Sequence, residues 1–327
     1  MTHLIEIYNI SGAKVIDKED GTAARMEARR INIFLDCGST IKTTILGALA
    51  LSLYMRGSES EDRLRLLGTM SSDKLWPYRL VRNGFTMIID GFKVSKARTR
   101  EIRHYAPSDF NVPTGVRLTT SDDKLVRVLI LDADSSEDSD VYYDDNIIDE
   151  KYIDNNLSVI SFSVQDYMQS DIVAAFSKSV NFAKVMPIVK KILRLNSIYI
   201  KSDRFGRLAF YSSFLDADDF EVSELKGMPT LTLLALASSN DVVVVDRVED
   251  QLYPKIWKLM GKIIVSSKSQ WFLGTYSRWL LASVLSEIPE ETMLFKIERP
   301  RSDVVVIDKM RGEEANLGNL NENTCSY

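Results

Sequence analysis

Apolar positions fall into short runs separated by polar stretches, and the period of each run predicts an element. Leu4, Ile5, Ile7 and Ile10 predict a strand that stops at Ser11-Gly12. Residues 13–30 are polar and charged, the pattern of a strand pair turning near Asp20-Gly21. INIFL (31–35) is a short apolar strand, and DCGSTIK (36–42) is a loop of small residues. TTILGALALSLYM (43–55) is almost uncharged and helix-length, so it predicts a helix buried all round. LVRVLILDAD (125–134) contains a strand, and residues 157–199 read as helical. IYIKSDRFGRLAFYSS (198–213) predicts a hairpin turning at Arg204-Phe205-Gly206-Arg207. SELKGMPTLTLLALASS (223–239) predicts a buried helix, and DVVVVD (241–246) a fully buried strand. After it come a helix (254–266), a strand (271–274), a helix (277–287) and strands at 292–298 and 303–307. Residues 310–327 are polar and expected to be loose.

Strands alternating with helices predict an α/β protein with a mostly parallel core sheet. No fixed-period repeat or long heptad run appears. At 327 residues there is chain for one large domain or two ordinary ones.

Composition narrows the function. Hydrophobic residues make up 45% and charged residues 27%, as in an ordinary globular protein. A net charge of −5 argues against electrostatic nucleic-acid binding by the whole surface. The 2 histidines and 2 cysteines (His3, His104, Cys37, Cys325) would all be needed for one Cys/His zinc site. The same count excludes a disulfide framework. Neither histidine has a nucleophile motif beside it, which argues against a Ser–His or Cys–His mechanism. No signal-peptide pattern and no membrane-length apolar run is seen, so the expectation is a soluble, cytoplasmic protein.

The sharpest feature is the strand, small-residue loop, lysine, two threonines and apolar helix at 31–55. A phosphate-binding loop needs those parts. The strand aims the loop, and backbone N–H groups, here at Gly38, Ser39 and Thr40, cradle phosphate oxygens. A lysine meets the terminal phosphates and a hydroxyl meets Mg²⁺. Lys42 would be that lysine, Thr43 the magnesium ligand and Thr44 a further phosphate contact. In the usual G-x-x-x-x-G-K-[ST] spacing, Asp36 stands at the first glycine and Ile41 at the second. Asp36 brings negative charge near a polyphosphate, and Ile41 brings a β-branched side chain where backbone should approach phosphate.

The second half adds order to this. SELKGMPTLTLLALASSNDVVVVDRVEDQLYP (223–254) followed by WFLGTYS (271–277) resembles the ABC-type ATPases of the AAA family, those akin to OLD nucleases and RecF/SMC heads. The likeness covers 1–55 and 220–280. It implies a P-loop NTPase core from 1–56 and 220–310, with N-terminal antiparallel strands. It also implies an inserted lid or arm over 57–219 and a loose tail at 311–327. Asp246 matches the Walker B aspartate that serves Mg²⁺. Ser223 resembles the signature serine that touches a partner's γ-phosphate, and Leu252 and Pro254 match the L-H-P turn. The departures fall on the chemistry: Arg247 replaces the catalytic glutamate, and Tyr276 the switch histidine. Tyr253 and Gln251 replace the histidine of L-H-P and the glycine of E-N-G, and Leu225 the signature glycine, with Gly227 displaced. Arginine cannot accept a proton from water, so hydrolysis is expected to be weak or absent.

The reading is a pseudo-ATPase of this type, with ATP and Mg²⁺ as candidate cofactors. It would act as a structural or regulatory subunit, as a dimer with itself or with an intact homologue. One alternative is an active ATPase that uses Glu249 as the base. Another is a nucleotide-independent binding module. A basic band of Arg79, Arg82, Lys93, Lys96, Arg98, Arg100 and Arg103 is a candidate nucleic-acid contact. The competing reading is a solvated sheet face, because VRNGFTMIIDGFKV reads as a hairpin. Residues 132–156 carry ten acids against one base, Lys151, and are expected to form an exposed loop or mobile segment. Trp257, Trp271 and Trp279 are expected to pack near the Walker B strand.

Overall fold

The computed structural model describes residues 1–36, 40–57, 75–133, 141–163, 197–202, 208–213, 220–221, 237, 240–247 and 254–315. The N-terminal segment builds β1 (Leu4–Ile10), β2 (Ala13–Asp17), β3 (Ala24–Glu27) and β4 (Ile31–Leu35). Helix α1 (Thr40–Arg56) follows. A short helix α2 (Trp76–Asn83) leads into β5 (Phe85–Ile89) and β6 (Phe92–Lys96). Next come α3 (Thr99–Tyr105), β7 (Thr114–Thr119), β8 (Leu125–Ala133), β9 (Val141–Ile147) and β10 (Val159–Ser163). β11 (Ser197–Ser202), β12 (Leu208–Ser213) and β13 (Phe220–Glu221) form a separate small antiparallel sheet. The chain then runs through β14 (Val242–Asp246), α4 (Pro254–Ser266), β15 (Gln270–Thr275) and α5 (Arg278–Leu285). It finishes on β16 (Thr292–Arg301) and β17 (Val304–Arg311).

The main sheet runs in the order β10-β14-β15-β4-β16-β17-β2-β1-β5-β6-β7-β8-β9, with β3 on β1. Strands β10, β14, β15, β4 and β16 are mutually parallel. From β1 through β9 the neighbours are antiparallel. The sheet is therefore mixed, which corrects the expectation of a mostly parallel one. Tight turns join β5 to β6 and β7 to β8, and such turns force antiparallel pairing. Parallel strands need crossovers, and here α4 lies between β14 and β15 and α5 between β15 and β16.

Other expectations shift with this arrangement. Strands β5 to β9, inside the segment 57–219, continue the sheet begun by β1, and β10 forms the outer edge of the parallel block. Residues 159–163, read as helical, are a strand. Met310 and Arg311 belong to β17 rather than to a tail, and Gly312–Glu314 forms a 3₁₀ turn. The hairpin expected over 198–213 is present as β11 and β12, and the one in VRNGFTMIIDGFKV as β5 and β6. The helix expected over 223–239 lies outside the described residues, apart from Ala237.

Helix α1 holds the two blocks together. It packs on β10, β14 and β15 of the parallel block and on β5 and β7 of the antiparallel block. That explains its composition, because a helix enclosed on both sides must be apolar all round. Gly47 leaves room for Trp76: a Cβ there would fall 1.7 Å from the indole.

The far end of α1 is held by a buried arginine. Arg127 of β8 has no exposed surface. Its Nη1 donates to the carbonyls of Tyr54 (3.1 Å), Met55 (3.3 Å) and Gly57 (2.8 Å), which a helix end leaves without intrahelical partners. Its Nε donates to Asp145 Oδ1 at 2.7 Å, and Nη2 pairs with the other carboxylate oxygen. Tyr54 stacks under the guanidinium at 4.7 Å and donates its hydroxyl to Asp145 at 2.9 Å. The acid-rich segment is thus not an exposed loop throughout: it includes β9, while Glu150, Lys151 and residues 154–156 beyond that strand are exposed, as expected. Asp144 and Asp145 lie in β9, and Asp132 is buried, accepting the Asn111 and Val112 amides at 2.7 and 2.8 Å. Asp132 and Asp145 have partners outside their own strands, which a count of local charge does not reveal.

Replacing Arg127 with Met removes the guanidinium from the buried side of Asp145 and from the carbonyls of Tyr54, Met55 and Gly57, although Asp145 keeps the Tyr54 hydroxyl and the Tyr54 carbonyl keeps the Gly57 amide. We expect Arg127→Met to lose about 3–5 kcal/mol in urea unfolding. Removing the exposed Lys151–Asp149 pair by Lys151→Ala should stay within about 0.5 kcal/mol. Equal losses in the two variants would refute the anchoring role of Arg127.

Candidate functional site

The carboxyl ends of β4 and β14 face the first turn of α1. β14 is not next to β4; β15 lies between them. To reach α1, the Asp246 side chain has to cross β15, where Gly274 is the residue that lets it pass. A Cβ on Gly274 would sit 2.2 Å from Asp246 Oδ1 and 2.5 Å from Leu46 Cδ1. A glycine inside an otherwise apolar strand, WFLGT, signals such a close approach. Sequence reading passed over Gly274 because it looked only for the residues that follow it.

Asp246 is fully buried, and Thr43 donates its hydroxyl to Oδ2. Lys42, itself only 5% exposed, brings Nζ to 3.7 Å from Oδ1. At that distance the contact is an ion pair without a hydrogen bond, and Oδ1 has no hydrogen-bond partner among the described residues. Three residues named from sequence, Lys42, Thr43 and Asp246, therefore meet at one buried point. The Tyr276 ring lies 5.6 Å from Lys42 Nζ, and Tyr276 is 55% exposed. Ser163, buried at the end of β10, is the register partner of Asp246.

Other candidates stand differently. Thr44 donates its hydroxyl back to the Thr40 carbonyl at 2.8 Å, inside the helix. Ile41 is buried in the main core, so its β-branched side chain points away from the loop. Arg247 follows Asp246 with a φ of +51°, the left-handed region that a non-glycine residue enters only at a cost. Gly38, Ser39, Ser223 and Glu249 lie outside the described residues. Trp271 is fully buried and donates to Ser267 at 3.1 Å, as expected of a packing residue. Trp279 is not one: it is 67% exposed, on the first turn of α5 beyond Tyr276. The Trp257 side chain is outside the described set.

Of the basic band, Arg79, Arg82, Lys96, Arg98, Arg100 and Arg103 are exposed and Lys93 is half-buried. Arg82 and Lys96 close on each other where Lys96 Nζ donates to the Arg82 carbonyl at 2.6 Å. Arg98 pairs with Asp123 at 2.6 Å. No group of three or more His, Cys, Asp or Glu residues that could hold a metal occurs among the described residues. No helix there is long and apolar enough to cross a membrane.

No family model matches the chain, and no curated protein matches it. Among solved structures, it is similar to an Smc head bound to the C-winged helix domain of ScpA, at 12% identity and a TM-score of 0.49. That alignment covers 96% of this chain and 99% of the other. It is also similar to the SMC head domain from Thermotoga maritima (11% identity, TM-score 0.45, 94% and 97% covered). A third likeness is to the recombination mediator RecF-ATPrS (11%, TM-score 0.42, 95% and 98% covered).

Gly274→Ala should displace the Asp246 carboxylate and cost about 1–3 kcal/mol by forced repacking. Ala282→Gly, in α5, should cost about 1 kcal/mol by helix propensity alone and serves as the control for a non-specific loss. Their separation shows in a further change: only Gly274→Ala should perturb the Lys42 ammonium resonance in NMR. An unperturbed resonance in folded Gly274→Ala would refute the crossing role of Gly274.

Proposed function

We propose that the chain is an ABC-type, P-loop-derived ATPase-like protein that binds Mg–nucleotide and hydrolyses it weakly or not at all. The observation that carries this reading is the buried meeting of Lys42, Thr43 and Asp246 at the end of a parallel strand and the start of a helix. The site suits a divalent cation. Asp246 Oδ1 is buried and one partner short, and a cation or its water would supply that partner. Nucleotide binding would then be an exchange. Lys42 would turn from Asp246 to phosphate oxygens, and Thr43 and Asp246 would hold Mg²⁺, which would supply charge neutralisation at the phosphates. The chain supplies the lysine, the hydroxyl, the carboxylate and the helix N-terminus.

Weak hydrolysis follows from Arg247. A water-orienting carboxylate is expected just after the Walker B aspartate, and a guanidinium there cannot take a proton. Tyr276, where a switch histidine is expected, offers a hydroxyl and an exposed ring. With Trp279 it gives the mouth of the site an aromatic rim, which suits a second subunit closing over nucleotide. The function we infer is therefore that of a structural or regulatory subunit pairing with itself or with an intact homologue, with Ser223 given in trans. Contact with nucleic acid through the basic band belongs to the same proposal.

Two measurements test this. In sedimentation velocity with Mg²⁺ and a non-hydrolysable ATP analogue, the protein should move from monomer to dimer, and Trp279→Ala should reduce that shift. A sedimentation profile untouched by nucleotide and by the variant would refute pairing through this rim. In a phosphate-release assay, Arg247→Glu should raise turnover by about 10²-fold or more. Glu249→Gln should leave the basal rate unchanged. A basal rate abolished by Glu249→Gln would establish the active-ATPase alternative instead.

A further inference from the structure

A second site lies in the antiparallel block. Helix α3 packs on β8, and between α3 and the β7–β8 turn is a cleft of about 390 Å³. Its inner wall carries Arg117 of β7, which is 7% exposed. Arg117 Nη1 donates to Glu101 Oε1 at 3.2 Å, and Nη2 lies 3.5 Å from Asp123 Oδ1. Its Nε is buried and has no hydrogen-bond partner among the described residues. Glu101 is committed locally, because its other oxygen accepts the Arg98 amide at 2.7 Å. Asp123 is the opposite case. Its side chain is 52% exposed, and it sits on a turn with a φ of +58°. It accepts from Arg98 Nη2 at 2.6 Å while reaching Arg117 only at 3.5 Å. The Arg98 hydrogen bond also holds its carboxyl below the ordinary value of 3.8. Arg100 lines the same cleft and forms no ion pair among the described residues.

Two guanidiniums thus converge on one exposed carboxylate, and the buried one is left a partner short. A phosphate group fits that deficit better. It brings close to two negative charges and three acceptor oxygens, enough to serve Arg98, Arg117 and Arg100 together. His104 and Tyr105 also line the cleft, with rings 4.6 Å apart and nearly perpendicular, and they offer aromatic surface for a flat group. The volume falls in the range of small-molecule sites, larger than inorganic phosphate needs. A concave cleft around one deeply buried arginine also differs from the open basic stripe that tracks a nucleic-acid backbone.

We propose that this cleft binds a small phosphate monoester bearing a planar ring, a mononucleotide, with Asp123 standing in for the phosphate until the ligand displaces it. The site is separate from Lys42 and does not depend on the reading given to that site.

The test is titration of the full chain with AMP in the absence of Mg²⁺, followed by calorimetry. Asp123→Asn removes the internal competitor, so it should tighten AMP binding about two- to fivefold. Arg98→Gln should weaken it about tenfold. Lys42→Arg should leave it unchanged, which separates this cleft from the phosphate loop. AMP binding that Asp123→Asn weakens or leaves alone would overturn the proposal, as would the absence of AMP binding. A single-stranded oligonucleotide that binds more tightly to Asp123→Asn, with no binding of AMP, would overturn it in favour of a nucleic-acid contact.

Discussion

A carboxylate without access to water constrains everything around it. Asp246 is fully buried, and an ionised group there is tolerated only beside charge and donors. Lys42 and Thr43 provide both, and they do so because α1 starts directly over the end of β4. Gly274 is bare because the carboxylate has to cross β15 to reach them. The parallel order β14-β15-β4 follows the same need, since it puts the aspartate's strand two places from the helix that answers it. Asp246 Oδ1 is left without a hydrogen bond among the described residues, 3.7 Å from Lys42 Nζ.

The other end of α1 extends this constraint across the molecule. Arg127 neutralises the helix terminus, is neutralised by Asp145, and so ties α1 to β8 and β9. Arg56, the last residue of α1, reaches Asp90 at 3.3 Å and lies over the Phe92 ring at 4.4 Å. Asp90 in turn accepts the amides of His3 and Leu4 at 2.9 and 3.0 Å. One apolar helix, charged at both ends, therefore joins the parallel block to the antiparallel one.

Much of this was legible locally. The valine run 242–245 reads as a buried strand because nothing in it could face water, and α4 and β15 lie where period and composition put them. The meeting of Lys42, Thr43 and Asp246 was legible through motif order. Pairings across distance were not. The acidic segment looked solvated because Asp145 finds its arginine on the adjacent strand, 18 residues away. Gly274 looked like one more small residue until the carboxylate was seen beside it. The mixed sheet was missed because short hairpins at 85–96 and 114–133 were counted with an inserted lid rather than as an extension of the same sheet.

In the function we propose, the Lys42–Asp246 pair opens to receive Mg–nucleotide. Calorimetric titration of Mg–ATP into the protein and into Lys42→Arg tests it most directly. Arginine keeps a positive charge beside Asp246, so the fold and its unfolding temperature should hold, but its planar fork does not replace a point charge on the phosphates. Binding to the protein should be saturable and at least about tenfold weaker in Lys42→Arg, a loss of roughly 1.4 kcal/mol. Absence of binding to the unsubstituted protein, or equal binding to both, would contradict it.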